Sequence, residues 1–223
     1  MTLLSNIKEG WFKLMASQLQ KPSGLLAKLT GNRMNKSNEL LYHLTLENLN
    51  LKDGDNILEI GFGNGKFFSE LDAKANGLKI TGIDHSPEMV AEAIRLNRDL
   101  YESGRLQTMA GSSDRMPFDD DSFDKIFCIN VIYFWENPEL HLKEIHRVLK
   151  LGGYFCIGIR PKENLLKFPF SSYGFTLYSE EDCKELVEKS GFQFVKSQNG
   201  TDFEQKMNPL RTPFESLCVV CVK

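Results

Sequence analysis

Short apolar runs alternate with helical patterns through the middle of this chain, and that alternation constrains the fold more than any other feature. Strand, helix and strand in repetition build a parallel sheet covered by helices. Strands are expected at 56–60, 78–83, 105–110, 123–129 and 154–159, and helices at about 65–75, 87–101 and 138–149. Ser86 caps the second helix, with Pro87 at its first position. Asn137 is the expected cap of the third helix, and Gly152-Gly153 its stop. Ser179-Glu-Glu-Asp182 spells a capping-box-like start for a helix to Ser190, and 191–196 and 214–222 read as two closing strands.

Residues 1–50 read as a helical amino-terminal cover, 51–223 as one compact domain, and 160–178 as a substrate-side insert within it. Leu14, Leu19, Leu25, Leu26 and Leu29 suit an amphipathic cover, and Leu40, Leu41, Leu44 and Leu49 a helix packed on the sheet. A chain of 223 residues buries about 70% or more of its unfolded surface in one core and needs no staples. The net charge of −3 and pI of about 5.9 give no general attraction for phosphate backbones or anionic membranes. No nucleic-acid partner and no membrane span are therefore expected. The amino terminus lacks a secretory pattern, and five cysteines suit free thiols, so the chain reads as cytoplasmic.

Cys218-Val-Val-Cys221 has the CxxC spelling of a redox or metal motif. It sits in an apolar run that reads as a strand, where residues three apart point to opposite faces, and no second pair completes a zinc set. Buried thiols and no metal are the expectation.

Gly61, Gly63 and Gly65 come directly after an apolar strand and before a helix. Without a Cβ the backbone can turn sharply and approach a ligand closely, with helix-start N–H groups facing it. A tight turn with no ligand would use the same glycines. Two acids add to the pattern: Glu59, on the strand entering the loop, and Asp84, at the end of the next strand. Both reach the crevice at the carboxyl ends of the strands, where an acid can accept hydrogen bonds from a ribose diol. The alternative for Asp84 is a helix cap, which Ser86 fills more naturally.

A dinucleotide site needs a third glycine at position 66, where this chain has Lys66. Glu59 ahead of the loop would also repel a pyrophosphate, whereas a cationic, amino-acid-bearing nucleotide fits the charge. S-adenosylmethionine (SAM) is such a ligand.

From about Asp55 to Gly158 the chain resembles the Rossmann-like (class I) SAM-dependent methyltransferases. It is most similar to the small-molecule branch that includes the ubiquinone/menaquinone C-methyltransferases. The residues that carry the resemblance are Ile57-Leu-Glu-Ile-Gly-Phe-Gly-Asn-Gly65, Gly82-Ile-Asp-His-Ser-Pro-Glu-Met89, Met116-Pro-Phe-Asp-Asp-Asp-Ser-Phe-Asp124 and Leu142-Lys-Glu-Ile-His-Arg-Val-Leu-Lys-Leu-Gly-Gly153. The resemblance implies an α/β fold: a seven-stranded, mostly parallel sheet with its last strand antiparallel and helices on both faces. It also implies that Glu59, Gly61, Phe62, Gly63 and Gly65 bracket the methionine part of SAM. Asp84 would hold the ribose, with His85 and Met89 beside the adenosine. At the adenine end the family commonly has an acid directly after a glycine, but Gly111 is followed by Ser112 and Ser113, with Asp114 next.

Asn130-Val-Ile-Tyr133 follows the fourth strand, with the offset of the Asn-Pro-Pro-Tyr motif of amino-group methyltransferases but without its prolines. An ordinary strand end, with Tyr133 lining the pocket, is the competing account, and Asn130 is read as a cofactor-binding residue. Methyl transfer is an in-line displacement that leaves a neutral thioether, so alignment and exclusion of water come first. Candidates for a base, where the acceptor needs one, are His85, Tyr133, Tyr173 and Tyr178. The aromatic-rich, nearly uncharged insert suits a small apolar or aromatic acceptor, though packing of a lid would explain it too. Lys8, Lys13, Lys21, Lys28, Arg33 and Lys36 make the amino-terminal arm locally basic, as a solvated helix face would be. RNA or protein methylation, and SAM binding without transfer, are the alternative functions.

Overall fold

The computed structural model describes residues 3–20, 27–202 and 213–223, with side chains described over 9–20, 37–201 and 213–223. Two helices lead, α1 (Leu3–Gln20) and α2 (Ala27–Asn48). The alternating region follows as β1 (Asn56–Ile60), α3 (Phe68–Asp72), β2 (Lys79–Asp84), α4 (Pro87–Leu96), α5 (Arg98–Glu102), β3 (Leu106–Ala110), β4 (Phe123–Ile129), α6 (Pro138–Val148) and β5 (Leu149–Ile159). The chain closes with α7 (Lys162–Leu165), α8 (Glu180–Lys189), β6 (Gln193–Asp202) and β7 (Phe214–Val222).

The seven strands form one sheet in the order β3-β2-β1-β4-β5-β7-β6. The pairs from β3 through to β5 are parallel, and β7 lies antiparallel between β5 and β6. The central strands β1, β4, β5 and β7 are buried on both faces, so the sheet separates two cores. On one side α2 to α5 cover Ile57, Ile80, Phe127 and Val220 with Tyr42, Leu44, Leu49, Phe68 and Ala93. On the other, α6 and α8 cover Leu58, Ile83, Ile126 and Val219 with Leu142, Ile145, Cys183 and Val187.

The local signals are used as the sequence suggests at two helix starts. The Ser86 hydroxyl accepts from Met89 N–H, and Ser179 with Asp182 forms a reciprocal capping box. Three expectations are corrected. Asn137 makes no side-chain cap on α6. Gly152-Gly153 does not stop that helix: β5 has already begun at Leu149 and runs through both glycines, which exchange backbone hydrogen bonds with Lys223. The helix expected over 87–101 breaks at Asn97 into α4 and α5.

Of the residues read as a cover, Leu41, Leu44 and Leu49 are buried, while Leu14 and Trp11 on α1 are exposed. Leu25 and Leu26 lie outside the described residues, and the side chain of Leu29 outside the described side chains. The same holds for Lys8, Lys21, Lys28, Arg33 and Lys36; Lys13 pairs with Glu9 at 2.8 Å. Among the described residues no helix is long and apolar enough to cross a membrane, and no cluster of His, Cys, Asp or Glu could hold a metal ion.

Candidate active site at the carboxyl edge of the sheet

Strands β2, β1 and β4 are neighbours, and their carboxyl ends bring Asp84, the glycine loop and Asn130 to one edge. The loop turns because Gly61, Gly63 and Gly65 adopt φ of +72°, +59° and +66°, where an L side chain is strained. Their surroundings differ. A Cβ on Gly61 would stand 2.3 Å from Val131 Cγ2, and one on Gly65 would stand 2.7 Å from Ala93 Cβ. A Cβ on Gly63 would meet nothing within 4 Å. Two glycines thus let protein pack on protein, and the third faces open space that a ligand can approach.

The loop is held from behind. Gly61 N–H donates to Ile83 O at 2.7 Å, and Asn97 Nδ2 donates to Gly65 O at 2.8 Å. Gly63 N–H donates to Asp84 Oδ2 at 2.9 Å, and Ser86 N–H to Asp84 Oδ1 at 2.9 Å. Asp84 therefore shapes the loop, and each of its oxygens keeps a further lone pair. Burial raises its carboxyl above the ordinary value, against the pull of the two amides.

Glu59 is buried on the face of the sheet covered by α2, where Tyr42 Oη donates to its Oε2 at 3.1 Å. Burial pushes its carboxyl up to about 8, a rise that the Tyr42 hydrogen bond opposes and the charge of Asp84 reinforces. An uncompensated carboxylate here is costly, and a cationic ligand would supply the compensation.

The other predicted residues divide between the edge and its surroundings. Phe62 is buried against Phe68, with ring centroids 5.3 Å apart, and Met89 is buried at the start of α4. His85 is exposed, with Nδ1 3.6 Å from Asp84 Oδ1. Ser112 is exposed beside the end of β3, whereas Ser113 is buried with its hydroxyl 2.8 Å from His141 Nδ1. The His141 ring stacks on Trp135 at 4.7 Å.

Asn130, in the left-handed region at φ +57°, donates through Nδ2 to Asn38 Oδ1 at 3.0 Å. Tyr133 is buried with its hydroxyl against Asn130 Oδ1 and the backbone N–H and C=O of Arg160. Burial raises that phenol far above its usual value, so it stays protonated. Tyr178 is buried and also raised, while Tyr173 lies half-buried beside the Lys13 ammonium. Of the four base candidates, His85 is exposed beside Asp84, and Tyr133 reaches the edge through Asn130.

The residues missed from sequence were Tyr42, Asn97, His141 and Asn38. Each side chain meets a partner 17 or more positions away, and no local pattern announces such a partner.

This arrangement fits SAM: the open glycine cradle, Asp84 and the buried Glu59 are the residues that would hold it. Bound SAM supplies an electrophilic methyl carbon on a sulfonium. What the chain would contribute is the orientation of that group at the edge formed by the glycine loop and Asp84.

Comparison with known proteins agrees. Residues 58–157 match a methyltransferase domain model. YrhH, a candidate methyltransferase of Bacillus subtilis (strain 168), is 32% identical over 128 residues, covering 57% of this chain and 70% of that protein. The demethylmenaquinone methyltransferase of Chlorobaculum tepidum is 35% identical over 149 residues, covering 66% of this chain and 55% of that protein. Among solved structures, the methyltransferase bound to the Trm112 activator of Haloferax volcanii has a TM-score of 0.77 at 23% identity, covering 93% of this chain and 96% of that one. The [4+2]-cyclase SpnF has a TM-score of 0.67 at 18% identity, covering 85% of this chain and 80% of that one. These structures speak to fold, and the sequence matches together with the cradle carry the assignment: this chain belongs to the Rossmann-like SAM-dependent methyltransferases.

Proposed function

We propose that this chain transfers the SAM methyl group to a small apolar or aromatic acceptor. In this reading Glu59 meets the cofactor's ammonium, Asp84 its ribose, and the loop carrying Ser112 and Ser113 its adenine. One observation carries the acceptor class. Half-buried Phe134, just beyond Asn130, packs on half-buried Phe175 of the insert at 4.7 Å, and Phe170 adds a third ring 5.8 Å from Phe175. Aromatic surface left partly uncovered beside the cofactor edge suits a flat apolar molecule better than a charged one. The relative from Chlorobaculum tepidum, named for demethylmenaquinone, supports the same class. Five free, buried thiols support a reducing compartment such as the cytoplasm.

A second reading, an RNA or protein methyltransferase that works with a partner, draws on the Haloferax volcanii likeness, since that methyltransferase is bound to an activator. The test is transfer from radiolabelled SAM to a panel of quinols, phenols, amines and lipids, with bulk tRNA and protein alongside. Label on a quinol or phenol is expected. Label only on tRNA or protein would favour the second reading, and no transfer despite SAM binding would favour a binding protein.

A further inference from the structure

Tyr42 lies on α2, 17 positions before Glu59, and both are buried. Its hydroxyl donates to Glu59 Oε2 at 3.1 Å. Its ring stacks on Phe67 at 4.2 Å and 18°, and meets Phe127 edge-on at 5.8 Å. Phe67 stands two residues after Gly65, so one side chain touches both the acid before the glycine loop and the residue behind it. One helical turn earlier, Asn38 accepts from Asn130 at the end of β4. Helix α2 thus reaches the ends of β1 and β4 through polar side chains four residues apart, on one face.

We propose that Tyr42 is a positioning residue for the amino-acid end of the cofactor, its hydroxyl aiming the Glu59 carboxylate at the cofactor's ammonium group. The inference rests on the placement of Glu59 given above. Tyr42 suits the role because burial and the neighbouring carboxylate raise its phenol well above the usual value, which keeps it a donor. The other titratable groups facing the pair are Asp84 on β2, Cys128 on β4 and, toward Tyr42, Glu70. The first two do not offset the burial of Glu59: Asp84 raises it further, and the Cys128 thiol is itself held neutral by burial. The hydroxyl of Tyr42 opposes that rise.

The test compares two ligands by titration calorimetry between pH 6 and pH 8.5. S-adenosylhomocysteine carries the amino-acid end, and 5′-methylthioadenosine lacks it. Tyr42→Phe keeps the stacked ring and removes only the hydroxyl. It should weaken S-adenosylhomocysteine about 5-fold or more, the effect of losing a hydrogen bond to a charged group. It should also move the midpoint of the pH dependence upward, and leave 5′-methylthioadenosine within about twofold. Equal weakening of both ligands would assign Tyr42 to packing and overturn the proposal, as would an unchanged affinity and midpoint for S-adenosylhomocysteine. Glu59→Gln separates the two layers of the argument. If it leaves S-adenosylhomocysteine affinity and its pH dependence untouched, the placement of Glu59 fails; if it weakens that ligand while Tyr42→Phe does not, only the role of Tyr42 fails.

Discussion

The carboxylate of Asp84 accepts the amide hydrogen of Gly63 across 21 positions, at 2.9 Å. The acid at the end of β2 is therefore part of the loop that it helps to present. Asp84→Ala should weaken SAM binding about 10-fold or more, through the ribose contacts and the loop together. Thermal unfolding should show a loss of about 1–3 kcal/mol, because the Gly63 and Ser86 amides lose their acceptor. A stability loss with unchanged SAM affinity would assign Asp84 to the loop alone.

The glycines separate by what surrounds them. Gly61→Ala forces a Cβ to 2.3 Å from Val131 at a positive φ, so unfolding at markedly lower temperature is expected. Gly63→Ala has room, so its fold should cost only the left-handed strain, about 1–2 kcal/mol, while S-adenosylhomocysteine binding falls steeply. Paired melting and calorimetry on the two variants check this; equal binding by Gly63→Ala and the parent would place the ligand elsewhere.

Glu59 links stability to pH. Its folded carboxyl, at about 8, lies above the ordinary 4.5, so the unfolded chain holds fewer protons between those values. The contribution of Glu59 to stability is thus fully present below pH 4.5 and lost as pH rises through about 8. In the ligand-free protein, Glu59→Gln should flatten that fall and gain on the order of a few kcal/mol at pH 8.5 relative to the parent. Melting temperatures across the window test the sign, and a steeper fall in the variant would reverse it.

In the proposed reading the aromatic insert meets the acceptor and not the cofactor. Phe175→Ala removes the ring shared by Tyr133, Phe134 and Phe170. It should raise acceptor KM about 10-fold, leaving S-adenosylhomocysteine affinity within about twofold. Initial rates on the acceptor found in the panel, with calorimetry beside them, decide it.

Much of the framework was legible because strand periodicity and capping are local. The run 56–60 and the run 214–222 became β1 and β7 at their expected bounds, and Ser86 and Ser179 cap as their neighbours suggest. Where tertiary partners intervened, local signals misled. Gly152-Gly153 looked like a helix stop, yet backbone bonds from Lys223 draw both into β5. The break at Asn97 carried no proline or glycine, since its cause is an amide that bonds Gly65 O and Ala93 O at once. At the candidate site, spacing singled out Glu59, the glycines and Asp84, whereas the contacts of Tyr42 with Glu59 and of His141 with Ser113 join distant helices to it and leave no local pattern.

The alternation along β7 has a practical consequence. Cys218 belongs to one core and Cys221 to the other, and all five cysteines are free and buried. The CxxC pair cannot close on itself while the sheet is intact, and a thiol reagent finds no sulfur at the surface. The chain therefore carries a chemical stopwatch for its own opening, with sulfurs on both sides of the sheet. In excess dithionitrobenzoate, colour should develop at the rate at which the sheet parts, and SAM should slow it by holding the edge of β1, β2 and β4 together.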